Sequence, residues 1–334
     1  MAVIKDVAKL AGVSPSTVSK YLNNPQSVLA KNCEKIEMAI KELNYRPNLF
    51  ARQLRVQDSH TIALIAQEIM NPFHATIYNT IRKAAIKKNY SVILYSISDV
   101  GGELSTLLDS IPRNYFSGII VCYFHDMDKS LEFALANKDI PFTIMSNIPY
   151  TNNLENVRLL YGDFAHGIEM ITEFIIGKGR KKIAYVGCMT RQPDQEPKFT
   201  SFMRTMGRHN LKPHSVVRLQ KEYRAETGYE SLKIILEKEE RPDAILVDND
   251  IMAIGVLRGL ADHKIKVPDE IIVTGFDDIT MASFYSPALT TVRVPIEAMS
   301  IKAFDLLYEM MEKGNIATEI PVFVPEIVVR ETTS

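Results

Sequence analysis

Apolar residues recur at two different spacings along this chain, and the spacing changes near residue 60. Before that point Ile4, Val7, Ala8 and Ala11 stand at i, i+3, i+4 and i+7, the stripe of a short amphipathic helix. Gly12 interrupts it, and Ala11-Gly12-Val13 reads as a tight turn. Ser14 suits an N-cap and Pro15 the first helical position, so a second helix is predicted to about Asn23, with Val18 and Leu22 inward. Asn23-Asn24-Pro25 stops it. A third helix is predicted from about Lys31 to Asn44, with Cys33, Ile36, Ala39, Ile40 and Leu43 facing inward. Helix, short glycine-containing turn, helix is the helix-turn-helix arrangement.

From Thr61 short apolar runs alternate with helix-length segments. Strands are predicted at Ile62–Ala66, Val92–Ser96, Gly118–Cys122, Phe142–Ser146 and near Val157–Leu160. A second series follows at Ile183–Gly187, Val216–Leu219, Ala244–Val247 and Ile271–Gly275. Helical stretches such as Ala75–Lys88 and Ala165–Gly177 separate them. This βαβ alternation predicts parallel sheets covered by helices, and its length predicts two lobes.

The 334 residues are 46% apolar and 24% charged, the balance of an ordinary globular protein. No apolar run is long enough to cross a membrane, and Lys5, Asp6 and Lys9 break any secretory signal. Cys33, Cys122 and Cys188 are far apart and show no metal-binding spacing, which predicts a reduced, cytoplasmic setting with no metal and no cofactor. Residues 1–60 hold nine Lys/Arg and five Asp/Glu, a net of +4; the other 30 basic and 35 acidic residues leave the remainder at −5. A basic head on an acidic body fits a head that meets a polyanion. The second predicted helix leaves Ser16, Thr17, Ser19 and Lys20 outward, small enough to sit deep in a major groove and able to bond base edges. On these residues alone a DNA-binding head and a three-helix packing module with a polar face both fit.

IKDVAKLAGVSPSTVSKYLNNP, followed by AIKELNYRPNLFARQLR, resembles the DNA-binding head of the lactose-repressor/galactose-repressor (LacI/GalR) family, and the resemblance continues to the C-terminus. It implies a helix-turn-helix head over 1–46 and a hinge helix and linker over 47–60. It further implies a periplasmic-binding-protein-like body over 61–334, lobe 1 being about 61–161 plus 293–318 and lobe 2 about 162–290 plus 319–330. The implied function is sequence-specific transcriptional regulation, most simply repression. A homodimer would bind a near-palindromic operator in double-stranded DNA, and a small effector in the interlobe cleft, a sugar or sugar phosphate, would set its affinity. Some relatives answer to a co-regulator protein instead. By resemblance Pro15, Ser16 and Lys20 read bases, while Lys5 and Thr17 join the DNA contacts. Asn48, Ala51, Arg52 and Leu54 belong to a hinge that folds on DNA. Leu54 is its minor-groove wedge and Ala51 the close-approach position. The helices near 73–88 and the strand near 92–96 would form the dimer face. The chain closes at Arg330-Glu-Thr-Thr-Ser334 without a heptad segment, which favours a dimer over a tetramer.

Ligands of parallel α/β sheets sit at the carboxyl ends of strands, a rule that selects candidates without any relative. After the first strand come Phe73 and His74; core packing explains Phe73 equally well, and a solvated helix start explains His74. After Ile183–Gly187 a polar loop carries Arg191 and leads to Lys198, where relatives place an arginine that binds effector hydroxyls or a carboxylate. A lysine there is a point charge rather than a bidentate fork, and Arg191 is the substitute candidate. Tyr223 aligns with an aromatic that stacks on the effector. Asn249 suits a hydroxyl because it both donates and accepts, whereas Asp250 reads as the cap of the next helix. Asp277 is the leading ligand candidate, against the alternative of an aspartate bonding its own turn. Leu160 stands where many relatives have Asp. No GxGxxG, P-loop, GxSxG or HExxH motif is present and the histidines do not cluster, so an enzyme is not predicted. A transport-type binding protein would need a signal peptide in place of the head.

Overall fold

Described here from a computed structural model are residues 3–23, 25–45, 60–67, 69–97, 104–111, 115–122, 140–147, 155–189, 196–220, 222–314 and 320–334. They fall into two compact units, 1–59 and 60–334. In the first, α1 (Ile4–Ala11) ends where Gly12 takes φ 66°, a left-handed conformation that costs glycine little. The Val13 N–H returns to Ala8 O at 3.0 Å and turns the chain. α2 (Pro15–Asn23) begins on Ser14, whose Oγ accepts the Thr17 N–H at 3.1 Å. α3 spans Ala30–Glu42. Val7, Ala8, Ala11, Val18, Ile36 and Ala39 form the buried centre. The Tyr21 hydroxyl donates to Glu37 Oε1 at 2.7 Å and ties α2 to α3.

In the second unit β1 (Thr61–Ala66), β2 (Ser91–Ser96), β3 (Gly118–Cys122), β4 (Phe142–Ser146) and β5 (Val157–Tyr161) make a parallel sheet in the order β2-β1-β3-β4-β5. β1, β3 and β4 are buried at every residue, which is why each is a continuous apolar run rather than an alternating one. α4 (Pro72–Lys87) and α5 (Leu104–Ser110) connect the first strands.

The second sheet comprises β6 (Ile183–Cys188), β7 (Ser215–Leu219), β8 (Ala244–Val247), β9 (Ile272–Asp277), β10 (Thr290–Arg293) and β11 (Glu326–Val328), ordered β11-β10-β9-β8-β6-β7. Its strands run parallel except β11, which lies antiparallel to β10 because it returns from the other lobe. The sequence pattern ends the fourth strand of this series at Gly275. β9 instead runs on to Asp277 because β10 pairs alongside it, Phe276 with Val292 and Asp277 with Arg293.

α6 (Phe164–Gly177), α7 (Pro197–Arg208), α8 (Ala225–Leu236), α9 (Asp250–Asp262) and α10 (Thr280–Phe284) accompany this sheet. α8 and α9 touch backbone to backbone: a Cβ on Gly228 would overlap Met252 O, and one on Gly255 would overlap Ala225 O. The chain passes between the sheets three times, after β5, after β10 and before β11. Gly162 bridges to Phe323, joining the first and third passages. After the second, α11 (Ile296–Lys313) packs on β3, β4, β5 and α4 and completes the first lobe.

Candidate functional site

The sheet orders reverse direction between β1 and β3 and between β6 and β8, the switch points where loops part and leave a crevice. Residues just past the ends of β1, β4 and β8 meet there with the last residue of β9. A cavity open to solvent is lined by Gln67, Asn71, Phe73, His74, Asn147, Phe164, Lys198, Tyr223, Asn249 and Asp277. Six of the seven effector candidates therefore lie together in one place; Arg191 falls outside the described residues.

On the first-lobe side Asn71 Oδ1 accepts the Phe73 N–H at 3.0 Å and starts α4, with Pro72 in the first turn. This cap aims the helix start at the cavity. Phe73 is buried and belongs to the core as well as to the cavity wall. The His74 ring meets Phe73 edge to face, centroids 5.6 Å apart. Gln67 and Asn147, which follow β1 and β4 directly, and Phe164 at the start of α6, were missed by sequence reasoning. The strand-end rule finds the first two; nothing local marks Phe164.

On the second-lobe side three carboxylates gather. Glu196, Asp248 and Asp277 are all buried. Glu196 caps α7, its carboxylate accepting the Lys198 and Phe199 N–H groups at 3.2 and 2.8 Å. Burial and then the Asp248 charge push its carboxyl up to about 7. Lys198 turns inward: Nζ donates to Asp248 O at 2.9 Å, lies 3.1 Å from Asp248 Oδ1, and sits 4.2 Å over the Phe276 ring. Burial disfavours this ammonium, but Asp248, Asp277 and Glu196 together hold its pKa above the ordinary lysine value. Burial pushes the Asp277 carboxyl well up, although Lys198 draws it down. Tyr223 is half-buried at the rim, and burial raises its phenol.

Asp277 and Asp278 both take left-handed backbone angles, φ 116° and 56°, which non-glycine residues hold only when the surroundings force them. Two clamps force them. Asp278 receives Arg293 Nε at 2.7 Å and an Arg330 Nη at 2.6 Å. Asp250 Oδ2 accepts the Ile279 N–H at 2.9 Å, and its Oδ1 accepts the Thr291 hydroxyl at 2.5 Å. Asp250 is thus not the helix cap that the sequence suggests. Asn249 is the cap, its Oδ1 accepting the Met252 N–H at 3.0 Å, which leaves an amide N–H for the cavity. Leu160 is fully buried in the core, so that position offers the cavity nothing polar.

In the head, Lys5, Pro15, Ser16 and Lys20 are exposed and Thr17 is half-buried. The Ser14 hydroxyl lies 2.7 Å from that of Ser16 and 2.8 Å from that of Thr17, which fixes both at the start of α2. Asn48, Ala51, Arg52 and Leu54 fall outside the described residues.

Residues 3–48 match the family model for bacterial regulatory proteins of the lacI family, and residues 172–333 match the periplasmic binding protein-like domain. The HTH-type transcriptional repressor PurR of Histophilus somni (strain 2336) is 30% identical over 99% of both chains. The chain belongs to the lacI family. The ribose operon repressor of Escherichia coli (strain K12) is 30% identical over 92% of each chain. The lac repressor dimer bound to operator and the anti-inducer ONPF superposes with a TM-score of 0.82 at 25% identity, covering 99% of each chain. This lacI-family chain is accordingly a transcriptional repressor with an effector-binding domain, and its relatives are repressors rather than enzymes. No described helix is long and apolar enough to cross a membrane.

Proposed function

We propose that this repressor binds a near-palindromic operator as a homodimer and that a small molecule in the interlobe cleft sets its affinity for DNA. The observation that supports this most is the convergence of Phe73, His74, Lys198, Tyr223, Asn249 and Asp277 on one cavity, beside a separate head that exposes Pro15, Ser16 and Lys20. In this reading α2 enters the major groove, Pro15, Ser16 and Lys20 meet base edges, and Lys5 and Thr17 hold phosphates. Asn48, Ala51, Arg52 and Leu54 form the hinge, and Leu54 enters the minor groove. Exposed apolar side chains at Ile86, Met281 and Phe284 suit the cover of a second copy. Effector binding changes the relation of the lobes, and two sites become coupled through a two-state element.

Gel-shift titration against a palindromic operator and a scrambled competitor tests the DNA half; indifference to sequence overturns it. Asp277→Ala tests the other half. It should abolish the effect of ligand on operator binding while leaving operator binding itself intact. Unchanged ligand affinity in this variant removes Asp277 from the site. Leu54→Ala should weaken specific binding and spare ligand binding; loss of both would make Leu54 a folding residue.

A further inference from the structure

Residues 278–289 leave the second sheet after β9, form α10 and return to β10. α10 has five residues and no side-chain cap, too short a helix to hold its own shape. Its outward side chains Met281 and Phe284 are exposed, whereas Ala282 and Leu289 are fully buried. The excursion is fixed at its two ends, and one side chain holds both. Arg330 Nη2 donates to Asp278 Oδ1 at 2.6 Å, and Nη1 donates to the Leu289 carbonyl at 2.8 Å. The planar guanidinium sets these two acceptors at a fixed separation, which an ammonium would not do.

Arg330 is itself pinned from behind. Its N–H donates to Thr290 Oγ1 at 2.8 Å. The Glu331 carboxylate accepts the Ala288 N–H at 2.8 Å, and the Thr332 N–H donates to Ala288 O at 3.0 Å. Thr332 Oγ1 accepts the Thr290 N–H at 2.8 Å, and both Thr332 and Thr333 are buried. The Arg330 side chain is 16% exposed and that of Asp278 9%, so water competes poorly for the pair. The second Asp278 oxygen accepts from Arg293 Nε at 2.7 Å. Both oxygens of Asp278 are therefore committed to holding the chain.

Building on the reading of this chain as a homodimer covered at Met281 and Phe284, we infer that Arg330 is a positioning residue of the subunit contact. By gripping both ends of residues 278–289 it makes them one rigid element and presents α10 to the second copy. That element begins one residue after Asp277, so the turn that carries Asp277 and the subunit contact are one piece.

The test uses the full-length protein. Sedimentation equilibrium gives the dimer dissociation constant, and hydrogen–deuterium exchange, run well above that constant, reads residues 279–289. Arg330→Gln should raise the dissociation constant about 10-fold or more, the effect of losing one charge-assisted hydrogen bond, and should speed exchange in 279–289. Exchange in β6 and β8 should stay as in the parent. Arg330→Lys keeps the charge but loses the fork, and should give a smaller rise. Asp278→Asn weakens one arm of the grip and keeps the test available if Arg330→Gln does not fold. Combined with Arg330→Gln it should raise the constant little further, because both cut the same link. Phe284→Ala trims the contact itself and should weaken the dimer as well. If Phe284→Ala weakens the dimer while Arg330→Gln and Asp278→Asn leave it unchanged, the inference falls and the homodimer reading stands. A dimer that Phe284→Ala does not weaken has the same meaning, since α10 then lies outside the contact. Exchange that quickens throughout 60–334 in Arg330→Gln also overturns the inference, because Arg330 is then a folding residue. A parent that sediments as a monomer defeats the homodimer reading, and the inference with it.

Discussion

Asp250→Asn isolates the cost of a buried carboxyl beneath the cavity. The Asp250 side chain is fully buried, and burial pushes its pKa up to about 7 although Thr291 and the Ile279 N–H favour the ionised form. Asp278 raises it further and Arg330 lowers it. In the unfolded chain the group titrates near 3.9. Between those values the native state holds a proton that the unfolded state has released, so stability falls as pH rises through the window. From pH 5 to pH 8 this one group should remove about 3 kcal/mol of unfolding free energy. Asparagine keeps the shape, accepts from Ile279 with its oxygen and donates to Thr291 with its nitrogen, and does not ionise. Urea unfolding of parent and variant, followed by far-UV circular dichroism at intervals across that range, reads the difference directly. The variant should gain about 3 kcal/mol on the parent between the two ends, since other titrating groups are common to both. A difference that stays constant with pH refutes the reasoning. A variant that loses ground as pH rises means that the native carboxylate is ionised and held by Arg330.

Lys198→Met leaves Asp248 buried beside Glu196 without its ammonium and should cost about 3–5 kcal/mol, seen as a lower thermal midpoint. Adding Asp248→Asn should restore most of the loss; if the double variant melts no higher than the single, the pairing is not the cause. Gly255→Ala sets a methyl against the Ala225 carbonyl and forces α8 and α9 apart. A loss of about 1–3 kcal/mol is expected, and an unchanged melt would show that the helices slide freely. Ser14→Ala removes the oxygen that accepts the Thr17 N–H, and should cost the head about 1 kcal/mol and weaken operator binding while the 60–334 unit melts as before.

The sheets were legible in the sequence because strands buried on both faces must be apolar throughout, and TIALIA, GIIVC and FTIMS show it. The head was legible for a different reason: Gly12, Ser14 and Pro15 each have one good place in a helix-turn-helix, and they stand in order. The cavity was half legible. Strand ends point to Phe73, Asn249 and Asp277, but spacing says nothing about direction, so the inward turn of Lys198 toward Asp248 could not be read. The exchange of roles between Asn249 and Asp250 was hidden too. Either residue can cap a helix, and only the arrival of Ile279 and Thr291 from later in the chain decides which one is buried.

The late position of α11 has a consequence for synthesis. The five strands of the first sheet are complete at Tyr161, yet the helix that covers β3, β4 and β5 ends only at Lys313. Gly118 on β3 is shaped to receive Leu307 from that helix, since a Cβ there would come within 2.9 Å of its side chain. At ordinary elongation rates the interval is roughly 10–30 s, during which that face of the sheet is covered by α4 alone and β3, β4 and β5 wait for α11. The head has no such wait, because its three helices bury one another within the first 45 residues. The head can therefore fold before the body in the life of each chain. The partly covered sheet is the stage at which a chaperone, or a neighbouring nascent copy, would find it.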